Sequence, residues 1–209
     1  CGGGGARSFI DGVEGVDARF CSLKSVPTEA IEVETVMLMR EYRLLPDTQA
    51  AGRWRGGSVL VMELENTGLS ATMTVRGLNR FHFRPWGVKG GEVGQVGKVI
   101  FNPGKPDERS IGKIKILKMK RGDVVRMITP AGAGFGDPLE RDPELVMKDV
   151  RAGLQSRDKA ERDYGVVFGT NGIDPRATDE KRAERRASRA PLPEFSYGPE
   201  REASDRIWP

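Results

Sequence analysis

A chain of 209 residues with 31% charged and 37% hydrophobic side chains has room for one large domain with solvated extensions, and no apolar run of the roughly 18 residues a membrane span requires. Its net charge of +4 comes from 34 basic and 30 acidic residues that interleave, which argues against the basic, aromatic-studded stripe of a nucleic-acid binder. Two cysteines, Cys1 and Cys21, make neither a disulfide framework nor a metal knuckle, so a reducing cytoplasm is the expected setting.

Residues 1–30 read as a glycine-rich segment. Gly2–Gly5 is expected to be a flexible loop, and Asp11-Gly12-Val13-Glu14-Gly15-Val16-Asp17 continues it, because glycine at that density breaks regular structure. The start at Cys1, with no methionine, suggests processing, a split gene or a numbering that begins inside a longer protein. Pro27-Thr28-Glu29 suits a short helical turn capped by Thr28. A β-rich domain is expected over residues 31–130. Period-two alternation begins at Ile31 and carries a strand to Leu44. Leu45–Ser58, with Arg53, Trp54, Arg55 and three glycines, is too polar for a strand core. It reads as a shaped turn in which Trp54 plugs the core. Strands follow at Ser58–Glu65 and Ser70–Arg76, joined by the Asn66-Thr67-Gly68 turn. Arg80–Gly91 is a loop of aromatics, arginine and glycine. Further strands are expected at Lys98–Asn102, Lys113–Lys120 and Val124–Thr129, the second with a bulge near Ile116-Leu117 that keeps its apolar residues on one face. Several short strands at this spacing predict an α+β chain whose main part is an antiparallel β sandwich or barrel-like module.

Residues 131–170 change in style. Ala131–Pro138 is a glycine-rich exit loop. Asp142-Pro143-Glu144 places an N-cap and a first-turn proline ahead of a helix running through Val146 and Val150 to Leu154, and Ser156 caps a second helix to Asp163. Tyr164–Phe168 is strand-like. Residues 171–209 form a charged, proline-rich arm. Ala177–Arg189 is read as helix or disorder, and Pro191–Pro209 as an extended arm wrapping a neighbour or a disordered tail.

Few side chains offer chemistry. His82 is the single histidine, so this chain does not build a His-rich metal site; flanked by Phe81 and Phe83, it is a general-base candidate in a setting that favours structure. No Gly-x-Ser-x-Gly elbow or Walker loop is present. Gly132-Ala133-Gly134-Phe135-Gly136 follows a strand and precedes a helix but lacks the phosphate-loop lysine, so a structural turn is the better reading. Asp11 and Asp17, on a glycine-rich loop, suit a cation or an oriented water, or plain solvation. Cys1 with its free amine matches an N-terminal nucleophile, against which the four following glycines argue, since a nucleophile needs a rigid seat.

With these landmarks in hand, the chain resembles the C-terminal part of the hydantoinase B/5-oxoprolinase family. The resemblance is carried by Gly2-Gly3-Gly4-Gly5-Ala6-Arg7 with Asp11-Gly12, Pro27-Thr28-Glu29, Tyr42-Arg43-Leu44 with Asp47, Ala51-Gly52-Arg53-Trp54-Arg55-Gly56-Gly57, and Pro85-Trp86-Gly87 with Gly90-Gly91. It continues through Thr129-Pro130 with the following glycines and Asp137-Pro138, Arg141-Asp142-Pro143-Glu144, Val150-Arg151-Ala152-Gly153 and Phe195–Glu202. Where many members carry an Asn-Thr-x-Asn-Thr-Pro-Val-Glu-like run, this chain has Ser22–Glu29. The resemblance implies a hetero-oligomeric enzyme in which ATP and Mg2+, held by a hydantoinase A-like partner, activate a carbonyl oxygen of a cyclic amide or ketone for hydrolysis or carboxylation. It also implies that an N-terminal half of the hydantoinase B-like polypeptide carries any transition metal.

Within this chain, chemistry nominates Asp11, Asp17 and Arg53 as catalytic groups, and Arg55, Arg84, Trp86 and His82 as substrate or interface contacts. The expected function is a subunit of an ATP-dependent cyclic-amide hydrolase. The alternatives are a ketone carboxylase subunit of the acetone or acetophenone type, and a non-catalytic docking module of such a complex.

Overall fold

Most of the runs read as strands are strands. The computed structural model describes residues 2–15, 25–74, 80–112, 116–170 and 172–205. Its main sheet has five antiparallel strands: β1 (Met37–Leu44), β2 (Leu60–Asn66), β5 (Lys98–Phe101), β6 (Arg109–Ser110) and β8 (Val124–Ile128), in the order β1-β2-β8-β5-β6. Two further strands, β3 (Ser70–Met73) and β7 (Leu117–Lys120), pair as a separate antiparallel ribbon. The ribbon contributes Leu117 and Met119 to one buried cluster with Val99, Phe101 and Val125 of the main sheet, with Ala71, Met73 and Met127 packed against it. In β5 and β7 alternate residues are buried, and the ribbon and the main sheet meet around this core, in keeping with the sandwich-like expectation.

Several boundaries differ from the sequence reading. Thr28–Glu34 is a helix, α1, and β1 begins only at Met37. Pro27 occupies the N-cap position with no side-chain cap, so Thr28 is not the cap. The Glu-Val-Glu alternation is too short to separate period 2 from 3.6, and local bonds decide the outcome. Thr35 Oγ1 donates to the Ile31 carbonyl at 2.6 Å, and Glu32 Oε1 accepts the Met39 amide at 3.0 Å. The ribbon bulge expected at Ile116-Leu117 adjoins undescribed residues 113–115, and Ile116 is 60% exposed, so it does not join the core. The described bulge lies in β1, between Met39 and Glu41. Val75 and Arg76 of the expected third strand lie outside the described residues.

The helical segment follows its caps. Helix α2 (Pro143–Arg151) starts at Asp142, whose carboxylate accepts the Glu144 amide, and ends before the expected Leu154, with Ala152 as C-cap. Helix α3 (Arg157–Tyr164) is capped by Ser156 and closed by Gly165 at φ 64°, a left-handed position that glycine takes without cost. Tyr164 therefore ends a helix, and the strand-like piece reduces to β9 (Phe168–Gly169), paired with β10 (Gly172–Ile173). Helix α4 (Pro175–Ser188), capped by Asp174, settles the charged segment as helix. Val146, Ala160, Tyr164 and Val166 form a second buried cluster with Ala51, which ties these helices to the Leu45–Ser58 segment. No helix among the described residues is long and apolar enough to cross a membrane.

The C-terminal arm closes back on its own chain. Strand β11 (Phe195–Ser196) pairs with β4 (Gly87–Val88), ahead of α5 (Pro199–Asp205). The Lys89 and Gly90 amides donate to Glu194 and Pro193 carbonyls at 2.7 and 3.0 Å. The arm thus packs on the chain's own β4 segment. Ile207 and Trp208 lie outside the described residues.

The glycine-rich segments are packed, which overturns the flexible-loop expectation for Gly2–Gly5. The Gly4 amide donates to Val13 at 2.8 Å, Gly57 to Gly4 at 2.9 Å and Gly132 to Gly57 at 2.9 Å. Backbones approach so closely that a Cβ on Gly132 would lie 1.8 Å from the Gly4 carbonyl oxygen, and one on Gly56 2.0 Å from that of Gly132. Glycine is the one residue that lets main chains stack at this distance. Gly132→Ala, which must push backbone apart, is expected to lower stability by about 3 kcal/mol or more in urea unfolding. Gly5→Ala, with nothing within 4 Å, is expected to leave the midpoint almost unmoved.

Candidate functional site

The packed glycine segments carry charged side chains at their margin. Leu45–Ser58 is anchored to the exit loop by a two-way backbone bridge, Trp54 to Phe135 at 3.0 Å and the return bond at 2.9 Å. Trp54 itself is only half-buried. The side chain that enters the interior is Arg55, 6% exposed, a residue nominated as a substrate or interface contact, while the expected core plug stays at the margin.

Arg55 grips Asp149 of α2 with Nε and Nη2 at 2.9 and 3.0 Å, and donates from Nη1 to Glu14 at 2.6 Å. A second guanidinium, Arg141, lies 1% exposed just before α2. It grips Asp11 with both terminal nitrogens at 2.7 and 2.8 Å and also donates to Asp149 at 2.8 Å. Asp11 accepts the Arg55 amide at 2.9 Å, and Glu14 accepts the Ser58 amide. Two arginines and three carboxylates thus form one connected cluster. The planar fork of arginine makes such doubly bonded pairs possible where lysine would not.

The electrostatics follow from this geometry. Burial pushes the Asp11 carboxyl up, but the Arg141 bonds and charge, with the Arg55 amide and charge, outweigh it and hold the group below its ordinary 3.8. Burial opposes charge on Arg55 as well, and Asp149 and Glu14 more than compensate. The Arg141 guanidinium lies 5.7 Å from the centre of the Tyr164 ring, whose phenol is pushed up by burial. Asp11 therefore accepts from both arginines. Its role in the structure is to fasten the N-terminal segment to Arg55 and to Arg141.

The other nominated residues are dispersed. Asp17 and Cys1 lie outside the described residues. Arg53 is exposed, with only a 3.7 Å approach to Glu140, while its amide donates to Gly136 at 3.2 Å and its carbonyl accepts from Arg141 at 3.2 Å. It is a loosely matched cation on a fixed stem. Arg84 donates to both Glu200 oxygens at 3.1 Å, and Trp86 meets Tyr197 edge-on with ring centres 5.1 Å apart. These two interface candidates hold the chain's own arm. His82 is exposed in a shallow cavity of about 260 Å³ beside Arg80, Phe81 and Phe83. The amides of Gly132, Gly134, Phe135 and Gly136 all donate to backbone carbonyls. These four amides are therefore not open to a nucleotide phosphate, in keeping with the structural reading of the loop.

Sequence reasoning missed Glu14, Arg141 and Asp149. Asp149 left a signal: it is three residues from Val146 on the buried side of α2, and a carboxylate on an apolar stripe demands a cation.

Removing Asp149 leaves two buried guanidinium groups short of an acceptor. Asp149→Asn is expected to destabilise the chain by about 3–5 kcal/mol in chemical unfolding. The depressed Asp11 group contributes stability that is complete above the ordinary value of 3.8 and is lost as pH falls through its lower folded value. Unfolding midpoints are expected to level off above about pH 4 and fall below it, with a shallower fall in Asp11→Asn.

The family model described as Hydantoinase B/oxoprolinase matches residues 1–138. The putative D-/L-hydantoinase B chain of Pseudomonas sp. (strain NS671) is 29% identical over 181 residues, 85% of this chain and 30% of that protein. The beta chain of the caprolactamase of Pseudomonas jessenii is 34% identical over 189 residues, 87% of this chain and 32% of that one. The solved ATP-dependent caprolactamase from Pseudomonas jessenii superposes with a TM-score of 0.70 at 31% identity, covering 87% of this chain and 32% of its own. Nucleotide-free acetone carboxylase superposes at 0.67 with 20% identity over 91% of this chain and 30% of that one, a likeness of fold. The chain thus spans about a third of the length of the curated relatives it matches.

Proposed function

The chain belongs to the hydantoinase B/oxoprolinase family, and on that premise we propose that it is the C-terminal part of a subunit of a cytoplasmic ATP-dependent hydrolase of cyclic amides. Its partners in this reading are the remainder of the hydantoinase B-type polypeptide, with any transition metal, and a hydantoinase A-like subunit that holds ATP and Mg2+. The observation that carries it is the caprolactamase likeness, in which sequence identity and backbone agree over 87% of the chain. Support for a ketone carboxylase is narrower: 39% identity over 76 residues with the acetone carboxylase alpha subunit of Xanthobacter autotrophicus, 32% of this chain.

This chain's own residues fit a stiff shoulder of such a site. The amides of Gly132, Gly134, Phe135 and Gly136 are taken by backbone and are not open to a nucleotide phosphate. The Arg55 cluster fixes the Leu45–Ser58 turn, and the turn presents Arg53. A guanidinium whose backbone is pinned on both sides is pre-aligned for negative charge developing on a carbonyl oxygen, and needs little reorganisation to meet it.

The test uses the complete complex of both subunit types. ATP hydrolysis is expected to depend on an added lactam or hydantoin, and not on acetone with bicarbonate; the reverse dependence assigns the carboxylase. Arg53→Ala is expected to lower amide-dependent turnover about 10²-fold in a complex that still assembles. Unchanged turnover in that variant, or loss of assembly alone, removes Arg53 from the chemistry and leaves a docking role.

A further inference from the structure

Between the C-terminal half of α4, the turn at Pro138–Glu140 and the arm lies a cleft of about 460 Å³, within the size range of small-molecule sites. Four charged side chains line it: Glu92, Asp163, Arg185 and Arg189. Two are neutralised by neighbours. Arg189 makes a doubly bonded pair with Asp137 at 2.7 and 2.5 Å. Asp163 accepts from Lys159 Nζ, and from Arg162 Nε at 2.9 Å.

The other two are not neutralised. Arg185 donates one nitrogen to the Arg162 carbonyl at 2.7 Å, and Glu92 accepts the Ala51 amide at 3.1 Å. Among the described residues neither has a salt-bridge partner; Glu92 only feels Arg162 at longer range. Leu139 and Leu192 supply apolar wall. A cleft with one unmatched cation, one unmatched anion and aliphatic lining is complementary to a molecule with the same three parts. A simple anion or a simple amine would answer one charge and leave the other facing it.

We propose that this cleft binds an aliphatic amino acid as its zwitterion, with the carboxylate on Arg185 and the ammonium group on Glu92. The binding assignment rests on the cleft alone. Hydrolysis of a cyclic amide breaks the C–N bond and leaves a carboxylate and an amine on one aliphatic chain. If the proposed activity holds, the ligand is therefore of the product class, and the cleft is a place where product is held or sensed.

Calorimetric titration of the complete complex, without ATP, with 6-aminohexanoate, hexanoate and hexylamine tests this. The zwitterion is expected to bind roughly tenfold or more tightly than either singly charged probe, the scale of one charge-assisted hydrogen bond. Arg185→Gln and Glu92→Gln are each expected to reduce it to the level of the single charges, and Arg185→Lys to restore most of the affinity. The Glu92→Gln side chain keeps an acceptor for the Ala51 amide, so its unfolding midpoint should stay with the parent's. Should Arg185→Gln fail to fold, the three probes on the parent complex and on Arg185→Lys decide the matter. Absence of binding, equal binding of hexanoate, or zwitterion binding that survives both glutamine variants overturns the proposal. Binding without amide-dependent turnover in the full complex would sink only the hydrolase reading, and turnover without binding only the cleft.

Discussion

Asp149 carries a constraint on which much of the rest depends. A carboxylate 5% exposed on the inner side of a helix faces a desolvation cost of several kcal/mol unless it is paired and fully hydrogen-bonded. Here both oxygens accept, from Arg55 and from Arg141. The arginines then need further acceptors of their own, and the main ones are Asp11 and Glu14 of the N-terminal segment. The requirement thus propagates outward until it reaches Glu14, which touches solvent with 23% of its side chain exposed. Such a closed set contributes less net stability than its bonds suggest, because desolvation offsets most of the Coulomb gain. What it imposes is register, since displacing any one segment leaves a buried charge unmatched.

The glycine packing and the ion cluster complete each other. Main chains stacked at glycine-only distances have almost no side chains to define their relative slide, and interstrand hydrogen bonds recur at every step. The Asp11, Arg55 and Arg141 contacts at the margin select one alignment. Conversely, the fork geometry of two arginines tolerates little displacement, and the packed backbones supply that rigidity. The Arg53 stem inherits both restraints: its amide is bonded to the exit loop and its carbonyl to Arg141.

The legible parts of the chain are those governed by neighbours in sequence. Val124–Ile128 and Lys98–Phe101 are short apolar runs bounded by turn signals and are strands; Asp142 and Ser156 precede helices and cap them. Apart from the Thr28–Glu34 helix, the parts misread depend on distant partners. Arg55 meets Asp149 94 positions away, and Arg141 meets Asp11 130 positions away, so a polar, glycine-rich turn carries no local sign that its arginine is buried and its tryptophan half-exposed. Gly2–Gly5 reads as flexible for the same reason: composition reports conformational freedom, and only the facing backbone of Gly57 and Gly132 removes it. The arm pairs with β4 of its own chain, over two residues, too short to leave a periodic trace.

Helix α4 shows how charge can be buried without a counter-ion, and why the remaining charges stand out. Arg182, 6% exposed, donates to the Tyr164 and Arg141 carbonyls at 2.9 Å, and Arg185 and Arg186 donate to those of Arg162 and Leu139. Two of these carbonyls lie at the C-terminal end of α3 and two at or just beyond the end of the Pro138–Glu140 turn, where partial negative charge collects and acceptors lack intrahelical donors. The arginines serve as caps supplied from another element. Burial and the nearby Arg186 charge lower the affinity of Arg182 for its proton, yet guanidinium remains charged at any ordinary pH, so the carbonyl dipoles must do the work of an anion. Arg185 is the member of this set whose side chain also reaches an open cleft, and Arg53 is its counterpart on the glycine margin. Both sit on backbone that other contacts hold still, and both keep a charge that no carboxylate closely matches. A fold that satisfies so many of its buried ions internally makes such exceptions informative, because a fixed and unmatched charge is what recognition of an ionic ligand requires.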